Sequence, residues 1–314
     1  MQEKEIRQKR LQDLMMLYGV TVGRRFTKKE KENFVIALSQ QVSELGYTWR
    51  IQKQQGQPGA GNLIAGDPGT ADMVYVTSYD TPAAALRPGI TYYPFHRDKN
   101  LQAEKRQLMM RIGLCAVYCA ALFLWGRIVL DYAGGLRTLG IVGLLGTAYA
   151  AWRLLHRQGS RFNFTRNSAS IAWMLQAASL QTGKKRPALV FLDQSGFGGW
   201  ETFRREYPQT EGQIVFLDCI ADGEKLVAAH REPVGEKAKK LLDKLKDSPL
   251  KEQLIDKTYD EQRMKQNALA YDPNMVCLSA GRIEKGEFVV KHTASEKDIR
   301  VDLERLLVLA ETLS

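Results

Sequence analysis

The sequence predicts an α/β protein, a mixed and mostly parallel sheet flanked by helices, interrupted by a helical hairpin that crosses a membrane. Three observations lead there. Short apolar runs of strand length alternate with amphipathic stretches of helical period in both halves of the chain. Two long uncharged segments, 112–126 and 139–152, lie close together near the middle. Polar residues recur where apolar runs stop, as they do at the carboxyl edge of an open α/β sheet.

Residues 1–30 are charged and lack the apolar core of a signal peptide. Residues 28–45 place Phe34, Ile36, Ala37, Val42 and Leu45 on one side of a helix that Gly46 stops. Strands are expected at 47–52, 62–65 and 73–77, with a Gly/Gln/Pro-rich turn at 55–61. Pro88 and Pro94 make 83–100 read as irregular. Beyond the uncharged segments, helices are expected at 168–180 and 235–246, with a closing amphipathic helix at 297–313. Strands are expected at 188–192, 213–219, 225–229, 274–279 and 287–290. Neither 1–105 nor 158–314 has enough strands to close its own core, so the two are expected to form one discontinuous domain around a hairpin at 106–157.

The chain has 314 residues, 44% hydrophobic and 25% charged, which excludes a disordered chain or a fibre. Cys115, Cys119, Cys219 and Cys277 sit in apolar runs without zinc-finger spacing, which points to a reducing compartment. The net charge of +10 asks for an anionic partner. The lysines of 235–247 are interleaved with Glu236, Asp243 and Asp247 as on a solvated helix face. No basic stretch is interleaved with aromatics, so no nucleic-acid partner is expected and membrane lipid takes the role.

At about 1.5 Å per residue, each uncharged segment spans about 22 Å of the ~30 Å hydrocarbon core. Arg111, Arg127 and Arg153 can snorkel and lengthen both spans, and Trp125, Tyr132 and Trp152 lie near their ends as interfacial aromatics do. Two spans are therefore expected, at about 108–130 and 138–155, rather than a hairpin buried in a soluble core. Lys99, Lys105, Arg106 and Arg111 precede the first span, and Arg153, Arg157 and Arg161 follow the second. The positive-inside bias then puts both flanks of this cell-membrane protein, and its soluble domain, in the cytoplasm. Gly140, Gly143, Gly146 and Thr147 give the second span a small-residue face suited to a membrane-protein or homo-oligomeric partner.

The strand ends carry the candidate chemistry. Singly, each is what a turn or cap would supply; their order is more specific. It runs Ser78-Tyr79-Asp80-Thr81, then Arg166-Asn167-Ser168-Ala169-Ser170, then Asp193-Gln194-Ser195-Gly196-Phe197-Gly198-Gly199-Trp200, then Leu217-Asp218, then His292-Thr293. This order resembles the co-catalytic zinc aminopeptidases of clan MH, the group that includes bacterial leucyl aminopeptidases and glutaminyl cyclases. The resemblance runs from about Lys28 to Ser314, with the hairpin inserted between the first two motifs. It implies that fold, and it implies that the five metal-ligand positions fall on Ser78, Arg166, Gln194, Asp218 and His292. The general-base position falls on Asp193, one methylene shorter than the family's Glu, and Asp80 falls on the Asp that supports the first ligand.

Three of those five positions hold residues that the family does not use as ligands. Two remaining ligands fall short of the three that catalytic zinc needs. Arg166 would set a permanent cation where a carboxylate bridges two metals. The resemblance therefore implies a degenerate, catalytically inactive member without a cofactor, serving as a binding or scaffold component, with a peptide terminus as the ligand class its pocket would keep. Two alternatives stay open: a zinc aminopeptidase with an altered metal site, and a subunit of a membrane complex that acts through its hairpin. If the metals are gone, their carboxylates need another cation, because converging buried charges of one sign destabilise the fold. Arg166 is accordingly expected to face Asp218, with Asp80, Asp193 and His292 nearby. Ser195 lacks the full nucleophile elbow, and His96, His156 and His230 have no ligand partner at a useful spacing.

Overall fold

Apolar segments such as Ala188–Leu192 and Gln213–Leu217 are buried along their whole length, as strands covered on both faces must be. They form part of one sheet in the computed structural model, which describes residues 2–53, 59–86, 90–131, 133–156, 158–181, 186–295 and 297–313. In chain order the strands are β1 (Trp49–Gln52), β2 (Asn62–Ala65), β3 (Met73–Ser78), β4 (Thr91–Tyr92), β5 (Ala188–Leu192), β6 (Gln213–Leu217), β7 (Lys225–Arg231), β8 (Leu254–Tyr259), β9 (Val276–Glu284) and β10 (Glu287–Lys291). The helices are α1 (Gln2–Met16), α2 (Lys28–Glu44), α3 (Arg97–Leu130), α4 (Gly135–Leu155), α5 (Ala169–Leu180), α6 (Trp200–Glu206), α7 (Glu236–Lys246), α8 (Glu261–Met264) and α9 (Leu303–Leu313).

The sheet order is β1-β2-β5-β3-β6-β9-β10-β4, with β7 between β9 and β8 on a branch. The centre is parallel: β3 pairs with β5 and β6, and β6 with β9. Antiparallel pairs flank it, β1–β2–β5 on one side and β9–β10–β4 on the other. Side chains alternate between two cores, since successive residues of a strand face opposite ways. Leu189 and Phe191 of β5 join Trp173 of α5 and Leu306 of α9 on one face, while Val190 and Leu192 join Trp200 and Phe203 of α6 on the other.

The first helix, α1, was not foreseen. Leu11, Leu14, Met15 and Tyr18 are buried at helical spacing in and just after α1, in a segment whose density of charge hid the stripe. α2 starts where Thr27 and Glu30 form a capping box: Thr27 Oγ1 accepts from the Glu30 amide at 3.3 Å, and Glu30 Oε2 accepts from the Thr27 amide at 2.9 Å. The stretch expected to be irregular contains β4 and the start of α3, which is held by reciprocal bonds between Tyr93 and the Asn100 side chain. α3 thus begins well before residue 106. The closing helix starts at Leu303 and not at 297, where the Asp302 carboxylate accepts from the Arg305 amide at 3.0 Å. α6 and β8 were not foreseen. The expected turn at 55–61 lies largely outside the described residues, as do Pro88, Tyr132 and Arg157.

Both expected spans are helical, but they are not equal. Among the described residues one helix, α3 over Arg97–Val129, is long and apolar enough to cross a membrane. The second expected span corresponds to α4, a helix of 21 residues, but it is not among the membrane-crossing candidates of the described residues. The small-residue face has a contact inside the hairpin itself. A Cβ on Gly140 would lie 2.5 Å from Val129 Cγ2, and one on Gly143 would lie 3.2 Å from the Trp125 ring. The glycines therefore let α4 pack antiparallel on α3 within the hairpin. Gly146 has nothing within 4 Å of a Cβ.

Gly140→Leu should consequently force the two helices apart and destabilise the purified chain by about 1–3 kcal/mol, the usual cost of overpacking. Gly146→Leu should leave the thermal midpoint unchanged. Melting of the two variants in the same detergent makes the comparison, and equal midpoints would show that the close approach at Gly140 is absent.

Candidate functional site

Because β3, β5 and β6 run parallel and in register, their carboxyl ends deliver Asp80, Asp193 and Asp218 to one edge of the sheet. Ser78 closes β3 opposite Leu192 and is buried. Gln194 and Cys219, which follow two of these aspartates, have φ of +51° and +62°. Non-glycine residues in this region cost about 1 kcal/mol or more each, and such strain concentrates at functional edges.

Arg166 reaches this edge from a single widened helical turn, Phe164–Ser168, closed by a bond of 3.1 Å from the Ser168 amide to the Asn163 carbonyl. Two groups fix that turn. Asp298, 1% exposed, accepts the Thr165 amide at 2.6 Å and also bonds the Arg166 amide. Arg25, wholly buried, donates to Asn167 Oδ1 at 2.5 Å and Ser168 Oγ at 2.9 Å, and to the carbonyls of Tyr79, Tyr18 and Val22. Asn167 in turn donates to the Asp80 carbonyl at 2.6 Å, tying the turn to the end of β3.

Two ion pairs then take up the strand-end carboxylates. Arg166 Nη1 lies 3.0 Å from Asp218 Oδ1, and the Tyr92 hydroxyl donates to Asp218 Oδ2 at 2.8 Å. The guanidinium stacks on Tyr92 with Cζ 3.7 Å from the ring centroid. Lys31 Nζ pairs with Asp193 Oδ1, while the Ala60 and Gly61 amides donate to Oδ2 at 2.9 and 3.3 Å. A Cβ on Gly59 would collide with the same carboxylate oxygen, so the loop needs glycine there.

Asp80 lies between these pairs, and its Oδ1 is buried without a hydrogen-bond partner. Burial pushes its carboxyl up, against the pull of Lys31 and Arg166. Burial likewise raises Asp298 to about 7 against its bonds to Thr165 and Arg166, and lowers Arg25 to about 9. His292 has a φ of +67°, a buried Nδ1 with no partner, and a pKa lowered by burial and by Lys297, Arg300, Arg282 and Lys291. Asp80, Arg166 and Asp218 open onto a cleft walled by Tyr92 and by the stacked pair Trp200 and Tyr271.

The donor set does not fit a zinc ion. Both oxygens of Asp218 and both of Asp193 are engaged by cations or hydrogen-bond donors of the protein itself. Among the described residues no three His, Cys, Asp or Glu side chains converge as ligands. Of the residues singled out from sequence, the structure joins Arg166 to Asp218 and brings Asp80 and Asp193 to the same edge. It pairs Asp193 with Lys31, which sequence reasoning passed over, as it did Tyr92, Arg25 and Asp298. Lys31 did leave a signal: with Phe34, Val35, Leu38 and Val42 it falls on the buried stripe of α2, where a lysine needs a partner.

Known structures share this architecture. A glutaminyl cyclase from Bacteroides thetaiotaomicron, solved with N-acetylhistamine, is 13% identical and covers 98% of this chain and 94% of its own, at a TM-score of 0.54. A zinc aminopeptidase from Bacillus subtilis is 9% identical, with 98% and 93% covered and a TM-score of 0.53. A glutaminyl cyclase from an Acidobacteriales bacterium is 12% identical, with 98% and 90% covered and a TM-score of 0.50. The chain therefore has the fold shared by zinc aminopeptidases and glutaminyl cyclases. No family model and no curated relative matches the sequence.

Removing one member of a buried ion pair costs about 3–5 kcal/mol, because the other charge is stranded. Arg166→Ala should approach that figure in chemical denaturation, reduced by the partial exposure of the guanidinium. The double variant Arg166→Met with Asp218→Leu should lose less than Arg166→Ala alone. A single variant as stable as the parent would remove the pair from the account.

The pH dependence has a definite sign. Asp298 binds its proton more tightly folded than unfolded, so its contribution to stability is greatest below the unfolded value near 4 and falls as pH rises to about 7. Asp80 contributes in the same direction. Asp298→Asn keeps an acceptor for the Thr165 amide and should flatten the loss of stability between about pH 5 and 7. Denaturation series on parent and variant test this, and parallel profiles would contradict it.

Proposed function

We propose that this chain is a membrane-anchored, catalytically inactive aminopeptidase-like protein that acts as a binding or scaffold component. The observation that carries the reading is that the protein's own cations, Arg166 and Lys31, hold the carboxylates Asp218 and Asp193. A site built for metal keeps its carboxylates available for divalent cations, and a guanidinium 3.0 Å from Asp218 opposes their entry. The hydrolytic reading would also need a base, and Asp193 already accepts from an ammonium and two amides.

The cleft retains what binding requires. It joins charged groups of both signs to an aromatic wall in which Trp200 and Tyr271 stack at 5.6 Å. A peptide terminus is the ligand class that this lining suits. The membrane anchor rests on α3, whose apolar stretch exposes Val117, Phe123, Leu124 and Ile128. The cationic flanks of the hairpin support a cytoplasmic side for the domain in this reading.

Metal analysis of the purified full chain, paired with assays on aminoacyl and N-terminal glutaminyl peptides, tests the central claim. The expected result is neither stoichiometric zinc nor turnover. About two zinc ions per chain, as a two-metal site needs, lost on chelation together with peptidase activity, would overturn it.

A further inference from the structure

Helical spacing sets the face of α3 that looks onto the cleft. Arg97, Asn100, Leu101 and Glu104 fall at i, i+3, i+4 and i+7, and all four line the cleft. The first and last carry opposite charges. At about 1.5 Å per residue they stand roughly 10 Å apart along the helix. The Glu104 end lies at the strand edge, because Glu104 also lines a neighbouring cavity together with Arg166 and Tyr92. The Arg97 end lies by the outer wall. Its amide donates to the Gln266 carbonyl at 2.9 Å, next to Lys265. Burial raises the Tyr271 hydroxyl pKa, and the Arg97 charge acts against that rise, which sets Arg97 beside the aromatic pair. Lys265 lines the cleft at this same end.

Few charges of the cleft remain for a ligand. Arg166 and Asp218 satisfy each other and cancel. Among the described residues, the side chains of Arg97, Glu104 and Lys265 take part in no ion pair or hydrogen bond, and all three are exposed. From this arrangement we infer that the cleft holds a free peptide of about three residues end to end, its ammonium at Glu104 and its carboxylate between Arg97 and Lys265. The inference rests on the peptide-terminus reading given above and adds the second terminus to it. An extended chain advances about 3.3 Å per residue, so three residues match the separation of the two poles. Asp80, whose buried Oδ1 has no hydrogen-bond partner, adds a carboxyl at the acidic end. The stacked rings of Trp200 and Tyr271 give an apolar side chain of the peptide a wall to lie against. A peptide capped at either end would leave one pole unanswered.

Calorimetric titration of the detergent-purified full chain tests this with the tripeptide alanyl-phenylalanyl-alanine, its N-acetyl form, its C-terminal amide, and the same peptide extended by four alanines. The free tripeptide should bind tightest. Acetylation, amidation and extension should each weaken binding about tenfold, as loss of a hydrogen bond between charged groups does. Glu104→Gln should weaken the free peptide by the same factor and abolish the effect of acetylation. Arg97→Gln should instead reduce the effect of amidation. Lys239→Gln, on the exposed face of α7, should change nothing. Equal weakening by Lys239→Gln would mean general charge attraction and overturn the site. A penalty for acetylation with none for amidation or extension would overturn the two-ended cleft and leave the peptide-terminus reading standing. No binding by any of the four peptides would overturn both.

Discussion

A guanidinium buried without a touching carboxylate is tolerated only when its donors are all used. Arg25 meets that condition with five side-chain hydrogen bonds, to Tyr79 O, Tyr18 O, Val22 O, Asn167 Oδ1 and Ser168 Oγ. It also lies 4.8 Å from the centroid of the Phe34 ring. These partners come from the segment after α1, the end of β3 and the turn before α5, so one side chain joins three parts of the chain that are far apart in sequence. The position of Asn167, and through it of Arg166 and the Asp80 carbonyl, follows from this clamp.

Charge balance imposes the next constraint. Arg25, Lys31 and Arg166 face Asp80, Asp193, Asp218 and Asp298 across the carboxyl edge of the sheet. Direct pairing neutralises Asp193 and Asp218. Asp80 and Asp298 each keep a buried oxygen without a partner, and both resist ionisation because burial outweighs their cationic neighbours. The edge thus handles its charge in two ways: ion pairs hold Asp193 and Asp218, and burial shifts Asp80 and Asp298 toward the protonated form. This explains why the cations lie where they do without any appeal to catalysis.

Much of the fold could be read from the sequence because burial leaves a period. Every strand of the parallel centre was foreseen to within a few residues, since β5 is apolar throughout, β6 is apolar after Gln213 and β3 ends in polar residues. Elements whose apolar positions are diluted by charge were missed, as in α1, or were too short to show a period, as in β4. In the site, Arg166 and Asp218 could be matched because each sits at a motif position next to a strand or helix boundary. For Lys31 and Asp298 the partners could not be named, because they lie more than a hundred residues away; the buried stripe of α2 shows that Lys31 needs a partner but not which one. The glycines of α4 were read as a contact surface, and Gly140 and Gly143 do face α3, a contact that spacing alone could not single out.

The order in which the strands pair has a consequence for biosynthesis. Leu63 of β2 pairs with Phe191 of β5, and Val76 of β3 pairs with Val190 of β5 and Phe216 of β6. The first half of the sheet therefore has no central neighbour until β5 leaves the ribosome, after the whole hairpin has been made. Closing so long a loop carries an entropic cost that grows with its free length. An antiparallel helix pair brings its two ends together, so the packing of α3 on α4 spans the gap in sequence between β4 and β5 with a short distance in space. Variants that splay the hairpin should therefore slow assembly of the domain even where they leave the finished cleft intact.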